Sequence, residues 1–397
     1  MKTINVLKPK YRTQEILDEV KICLDKGWTG MGFKTIEFEE AWKEYTKLPH
    51  AHFIQSNTVG LHLALNVFKT QEGWEDGDEI ITTPLTFVST NHSILYERLY
   101  PVFADVDRHL CLDPESVEKL ISPKTRAIMY VGMGGNAGQL NDIKYLCEKY
   151  NLKLILDAAH MSGTYTKDVM PGGGAYASTH CGWEADASVF SFQAVKNLPT
   201  ADSGMICFKD EKYDKLVRQL SWLGIDKDTY SRSDDKGSYK WRYDVPNVGF
   251  KYHGNSIMAS IGLVQLKYLD EDNDYRNQIS EWYDELLESN QWIERIPTSW
   301  HTHKSSKHLY QVLIRSPKRL MKHPSEKRDK VINKLYENKI YPGVHYVDNT
   351  LYPMYSSHNG TCPKADFYSR ELITLPIHLD LKKSDCERVV NIIKEVM

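Results

Sequence analysis

The sequence predicts an α/β protein: a larger unit on a mixed, mostly parallel sheet flanked by helices, then a smaller C-terminal α+β unit. Between about residues 50 and 210, short apolar runs alternate with stretches of helical periodicity. That is the pattern of strands joined by crossover helices in a sheet buried on both faces. Beyond about residue 290 the alternation gives way to a looser succession of strands and helices. The 397 residues, 41% hydrophobic and 26% charged, suffice for two units with sizeable cores. The division is expected at 1–270 and 271–397, with a bridging helix at the join.

Taken in order, His52–Gln55 reads as a strand leading into a helix that carries Leu61, Leu63, Ala64, Leu65, Val67 and Phe68. Glu79–Thr83 is the next strand and Phe87–Glu97 a helix. Pro101–Asp105 and Arg126–Val131 are strands, and Leu140–Tyr150 is a helix. Lys153–Asp157, Ala187–Phe192 and Met205–Phe208 complete the strand set. Met258–Leu269 opens a long amphipathic helix expected to continue past Trp282. The C-terminal unit should hold strands at Leu309–Arg315 and Gly343–Tyr346, and helices at Lys327–Asn338 and Lys382–Lys394. Tyr165–Glu184, rich in Gly, Thr and His, reads as a long loop, and such loops in compact units are usually functional or mobile.

Composition removes several function classes. A formal net charge of -3 gives no electrostatic case for nucleic acid or an anionic membrane surface. The cysteines at 23, 111, 147, 181, 207, 362 and 386 are scattered and odd in number, which argues against a disulfide framework or a structural metal site. No apolar stretch approaches the roughly 18 residues of a spanning helix. The opening Met1–Lys10 lacks the apolar core of a signal peptide, so a cytoplasmic location is the expectation.

Two residues carry the chemistry. Lys196 follows the apolar run Ala187–Phe192 by four residues and precedes Asn197-Leu198-Pro199-Thr200, which should hold the turn still. A lysine confined near apolar surroundings can lose its proton and act as a nucleophile. Asp157 ends the run Leu154-Ile155-Leu156-Asp157, and ligands of open α/β sheets bind at the carboxyl ends of strands. A pyridoxal phosphate enzyme needs both: a lysine to hold the aldehyde as a Schiff base, and a carboxylate to keep the pyridine nitrogen protonated. His160 and Phe87 are placed to lie against such a ring. Ser56, Thr58 and Val59, between a strand and a helix, suit a phosphate dianion. Ser191 and Gln193 offer short polar groups beside it.

Another pattern competes. Gly132-Met133-Gly134-Gly135-Asn136-Ala137 fits G-x-G-x-x-A after a strand and before a helix, with Asp157 about 20 residues further on. That would make the chain a dinucleotide-binding oxidoreductase, although it leaves the segment around Lys196 without a role.

Taken together, Ser56-Asn57-Thr58-Val59-Gly60-Leu61, Gly77-Asp78-Glu79-Ile80, Thr86-Phe87-Val88, Asp157-Ala158-Ala159-His160 and Ser191-Phe192-Gln193-Ala194-Val195-Lys196 resemble the DegT/DnrJ/EryC1/StrS family. Gly30-Met31-Gly32 near the start, and Val344-His345-Tyr346 and Leu375-Pro376 near the end, extend the likeness over nearly the whole chain. The resemblance implies a fold type I, pyridoxal phosphate-dependent sugar aminotransferase. It implies Lys196 as the cofactor lysine and Asp157 as the partner of the ring nitrogen. Phe87 and His160 would flank the ring, and Thr58, Val59 and Ser191 would hold the phosphate. It further implies L-glutamate as amino donor, a nucleotide-linked ketosugar as acceptor, pyridoxamine phosphate between the two half-reactions, and a homodimer with shared active sites.

The chain departs from the family's pattern in places. Lys251 stands where an asparagine is expected, with Asn255 four residues later, and Asp202-Ser203-Gly204 replaces E-G-G. Trp28, Thr29, His345 and Tyr346, with the segment around His180 and Trp183, are candidates to meet the substrate. One branch of the family carries histidine in place of the lysine and dehydrates sugars instead. Lys196 favours transamination over that reaction, and Lys196 with Asp157 speaks against a non-catalytic regulator; an aromatic amino-acid synthase of the same family is the remaining alternative.

Overall fold

A computed structural model describes residues 2–168, 177–226, 243–288, 290–315 and 325–397. At its centre is a seven-stranded sheet whose strands lie in the order His50–Ile54, Gly204–Phe208, Ala187–Ser191, Lys153–Asp157, Thr125–Val131, Glu79–Thr82 and Tyr100–Phe103. Only Gly204–Phe208 runs antiparallel to its neighbours; the rest share one direction. Ala187–Ser191 and Gly204–Phe208 are buried at every position, as expected for strands covered on both faces. One face packs on Phe38, Trp42, Phe190 and Phe192, the other on Leu61, Leu65, Phe68 and Val217.

The helix Asn57–Glu72 lies directly on the sheet. Gly60 makes this possible, because a Cβ there would come within 2.4 Å of Val189 and 2.5 Å of Ile54. Ser56 caps the helix by accepting the N–H of Val59 at 3.3 Å, and Gly73 ends it with φ of 69°. The C-terminal region holds a three-stranded sheet of Ile293–Arg295, Tyr310–Ile314 and Leu372–Leu375. Its core gathers Ile279, Tyr283, Val312, Val389 and Ile393. Among the described residues, no helix is long and apolar enough to cross a membrane.

Three expectations change. The helix expected from Met258 past Trp282 is two, Ser256–Leu266 and Leu269–Leu287, broken at Lys267–Tyr268. Asp270, Glu271 and Asp272 then open the second helix, where its N-terminal dipole favours them, and Arg12 grips Asp272 with two 2.6 Å bonds. Gly343–Tyr346 is not a strand. Gly343 exchanges single backbone hydrogen bonds with Thr374 and the chain then turns away, while the nearby strand is Ile340–Tyr341, paired with Ile4–Asn5.

The stretch read as a loop, Tyr165–Glu184, contains two antiparallel strands, Tyr165–Asp168 and Ala177–His180, extended by Thr302–Lys304. Pro171–Gly174 of that stretch falls outside the described residues. His180 is buried among the rings of Trp42, Tyr165 and Phe190, and burial pushes its imidazole down to about 3. The Trp183 indole donates to the Thr46 carbonyl at 3.2 Å. Both side chains are packing, which corrects their reading as substrate contacts.

Candidate active site

Val131, Asp157 and Ser191 end three adjacent parallel strands, and all three line one cavity of about 420 Å³. Its position at the carboxyl ends of the strands is where an open α/β sheet leaves room for a ligand. Asp157 is buried with both carboxylate oxygens engaged. Thr90 Oγ1 donates to Oδ2 at 2.8 Å, and Asn57 Nδ2 and the Ala159 N–H donate to Oδ1 at 3.3 and 3.2 Å. Burial raises this carboxyl's pKa, and those three donors with the charge of Lys196 pull it back.

Lys196 lines the same cavity and keeps some exposure through it. Its own N–H closes a turn onto the Gln193 carbonyl at 2.8 Å, and Thr200 binds the Phe192 carbonyl through both N–H and hydroxyl. Loss of hydration brings its amine down to about 8, against an upward pull from Asp157. A substantial fraction is therefore neutral near physiological pH, the form that can attack a carbonyl.

His160 completes one wall. Its Nδ1 accepts the Gly134 N–H at 3.2 Å, so the ring hydrogen sits on Nε2, which faces the Tyr346 hydroxyl at 3.2 Å. Burial, then the charge of Lys196, holds it well below the usual histidine range, and it is a neutral ring. Phe87 is exposed at the mouth, 6.0 Å from the Tyr346 ring. His345 is half-buried beside Tyr346, with Nδ1 2.9 Å from the Thr374 hydroxyl, and burial lowers it to about 4.

At the other end of the cavity stand Ser56, Thr58, Ser191, Gln193 and Ser203. With the Val59 N–H taken by Ser56, the helix N–H groups of Asn57 and Thr58 meet no acceptor among the described residues. Gly204 lets the backbones close in here, since a Cβ would sit 2.6 Å from the Phe190 carbonyl and 3.0 Å from the Asn57 nitrogen. The Gln193 side-chain oxygen accepts the Val195 N–H at 3.0 Å, and its amide hydrogens meet no acceptor among the described residues. A buried carboxylate, an amine and a cup of hydroxyl and N–H donors, set along one cavity between His160 and Phe87, fit a flat cationic ring bearing an aldehyde and a phosphate.

Not every candidate faces this cavity within one chain. Val59 packs on the sheet. Trp28 Nε1 donates to the Met31 carbonyl at 2.8 Å, and the Thr29 carbonyl accepts the Ser256 N–H at 3.1 Å. Asn255 caps the helix Ser256–Leu266, and the Lys251 ammonium lies 3.8 Å from the centre of the Trp222 ring. Thr29 and Asn255 come together where the segment around Gly30 meets Ser256, and none of these four lines the cavity. Thr90, Asn57 and Ser203 are the converse case, lining the cavity or holding Asp157 without having been singled out in the sequence.

The glycine-rich pattern has a different explanation from a nucleotide turn. Gly135, at φ of 91°, is covered by the segment Ser305–Lys307, and a Cβ there would meet Ser306 Oγ at 2.3 Å. Gly135 therefore serves close packing against that segment. A larger groove of about 860 Å³ lies elsewhere and holds neither Asp157 nor Lys196. Its lysines 144, 153 and 209 face the acids Glu148, Glu184 and Asp186.

Residues 10–394 match the DegT/DnrJ/EryC1/StrS aminotransferase family. The chain belongs to that family. It is 32% identical over 389 residues to the uncharacterized protein MJ1066 of Methanocaldococcus jannaschii, covering 97% of this chain and 95% of that one. It is 30% identical over 390 residues to the spore coat polysaccharide biosynthesis protein SpsC of Bacillus subtilis, with the same coverage. Among solved structures, the putative sugar aminotransferase Spr1654 of Streptococcus pneumoniae in its PLP form superposes with a TM-score of 0.87 at 26% identity, covering 100% of both chains. The PMP form of the same protein gives 0.86 at 27% identity and 98% of each chain. The likeness to these family structures covers both the central sheet and the C-terminal region.

Proposed function

We propose that this protein is a pyridoxal phosphate-dependent aminotransferase that moves an amino group from L-glutamate to a keto group of a nucleotide-linked ketosugar. The observation that carries the reading is a lysine poised to lose its proton in the same cavity as a buried, triply hydrogen-bonded Asp157. The named roles of SpsC in polysaccharide biosynthesis and of Spr1654 as a sugar aminotransferase support the substrate class.

When bound, pyridoxal phosphate supplies an aldehyde to carry the amino group and a ring to accept carbanion electrons. Asp157 would accept the hydrogen of the ring nitrogen and keep that charge in place. Ser56, Thr58 and Ser191, with the open N–H groups at the helix start, hold the phosphate. His160 and Phe87 flank the ring. Lys196 would hold the cofactor through its amine and, as a free base, would carry a proton to and from the reacting carbon. His345 and Tyr346 face the sugar. The remaining arm of a nucleotide supplies binding energy remote from the reacting atom.

Glutamate brings two carboxylates, and Lys196 is the only Lys or Arg lining the cavity among the described residues. Lys251, which has no acidic partner among the described residues, fills this need if it arrives from a second subunit. The reading is therefore a homodimer, in which Lys251, Asn255, Trp28 and Thr29 complete the partner's cavity.

The test is direct. Borohydride should fix a cofactor on the Lys196 peptide, and Lys196→Ala should abolish both attachment and turnover. A panel of nucleotide-linked ketosugars with glutamate should yield an amino sugar and 2-oxoglutarate in equal amounts. Loss of water from the sugar without 2-oxoglutarate would point to the dehydratase chemistry instead.

A further inference from the structure

Behind His160 lies a second histidine that no step above employs. His308 is 1% exposed, and its ring centroid is 4.5 Å from that of His160, tilted by 35°. Its Nδ1 lies 2.8 Å from Oδ1 of Asn197, the residue that follows Lys196. The surrounding network fixes the direction of that bond. The Asn197 amide nitrogen donates to Asn273 Oδ1 at 2.6 Å and to the Ser306 carbonyl at 2.7 Å. Asn273 is oriented in turn, since its own nitrogen donates to the Ser162 carbonyl at 2.9 Å. The Asn197 oxygen therefore faces the imidazole, and Nδ1 carries the hydrogen. Nε2 is left with a lone pair, and among the described residues no donor meets it.

The choice of an amide at 197 matters. A carboxylate there would favour an imidazolium, whereas an amide oxygen lends the charged form far less support. Burial and the charge of Lys196 act in the same direction, holding His308 well below the usual histidine range. The two stacked histidines are thus both neutral, with opposite tautomers: the hydrogen is on Nε2 in His160 and on Nδ1 in His308.

The segment that delivers His308 also clasps the site. Ser306 Oγ donates to the His160 carbonyl at 2.6 Å, and the Ser306 N–H donates to Thr164 Oγ1 at 3.1 Å. Ser305 Oγ donates to the Gly135 carbonyl at 2.9 Å. One stretch of chain therefore holds His160 by its backbone and its ring, and holds the lysine through its neighbour.

We infer that His308 is a positioning residue for the transamination, fixing the His160 ring plane and the Asn197–Lys196 backbone in one geometry without adding charge beside the amine. This rests on the proposed function and assigns that site a residue the cavity itself does not expose.

Two variants separate the two contacts. His308→Phe keeps a ring against His160 but removes the hydrogen bond to Asn197. His308→Gln keeps an amide N–H for Asn197 but removes the ring. Each is measured as the full-length, cofactor-loaded protein beside wild type. The expected result is kcat lower by about tenfold or more, with KM for both substrates within about twofold. The pH midpoint of the bound cofactor's absorbance change should move by about half a unit or more. The pH midpoint for acylation of Lys196 in the cofactor-free protein, read by peptide mass, should move as well.

Variants that fold and match wild type in kcat and in both midpoints overturn the inference. So do two variants that fail to fold, or that lose cofactor with the Lys196 acylation midpoint unmoved, since either outcome makes His308 a packing residue only. Wild-type protein that never takes up cofactor at Lys196 overturns the functional reading itself, and that is seen before any variant is made.

Discussion

Thr90 donates its hydroxyl to Oδ2 of Asp157 across 2.8 Å, reaching it from a helix that follows a different strand. Of the groups that oppose the effect of burial on this carboxyl, it is the strongest. Thr86 backs it, its hydroxyl 2.9 Å from that of Thr90. The carboxylate proposed to face the ring nitrogen is therefore set by a residue that does not itself line the cavity.

Thr90→Val should keep the shape of the helix and remove the donor. A hydrogen bond to a charged group contributes about 1.5–3 kcal/mol, so kcat should fall by about tenfold or more. The sign of the pH effect follows from the direction of the shift. Asp157 is already raised by burial, and losing Thr90 raises it further, so the carboxylate survives only at higher pH. The acid limb of the kcat profile should move upward. A limb that stays in place would show that Asp157 does not titrate through this contact.

Lys196 should weaken the cofactor-free fold. Its amine falls from 10.5 to about 8 in the folded chain. Between those values the unfolded chain binds more protons, so stability rises with pH across that window. Below pH 8 the penalty is fully present, at most about 3 kcal/mol, and above 10.5 it is gone. Lys196→Met should raise the urea midpoint of the cofactor-free protein at pH 7. The advantage should shrink between pH 8 and 10.5, as denaturation curves at several pH values would show.

A shared site has a signature in mixtures. Lys196→Ala and Lys251→Ala homodimers should each be impaired. Mixed and reassembled, they should recover about one quarter of wild-type activity, because half the dimers then carry one intact pairing. No recovery from the mixture would place Lys251 with the lysine of its own chain, or outside the site.

Ala201 sits at φ of 148°, a conformation side chains rarely adopt, between Thr200 and Asp202 beside the cavity. Such a residue costs roughly 1–3 kcal/mol, while glycine adds about 0.5–1 kcal/mol of its own entropy cost. Ala201→Gly should therefore stabilise the protein by about 1 kcal/mol, read as a higher midpoint in thermal or denaturant unfolding, with cofactor attachment unchanged.

Much of this could be read in the residues. The strands stood out because apolar runs bounded by helical patterns have few other interpretations; Asp157 stood out because it closes such a run, and Lys196 because it follows one by four residues. Thr90 and Asn57 did not, because one polar residue within a helix looks the same whether it faces water or a carboxylate. His308 was hidden for a related reason: its role depends on Asn197 and Asn273, over 30 residues away in sequence. The break at Lys267–Tyr268 left no mark in the hydrophobic period, since apolar residues continue on both sides. The strands Tyr165–Asp168 and Ala177–His180 carry no apolar run, and the ring packing that buries His180 is not announced by composition.

The reversed strand Gly204–Phe208 has a consequence for biosynthesis. Among the described residues it is the only strand beside His50–Ile54 in the sheet, so that early segment lacks its sheet partner until residue 208 has left the ribosome. The helix start at Asn57 is pinned by the same late arrival, through the close approach of Gly204. A nascent chain must carry more than 200 residues before the proposed phosphate cup can take shape, and truncated products should not capture the vitamin.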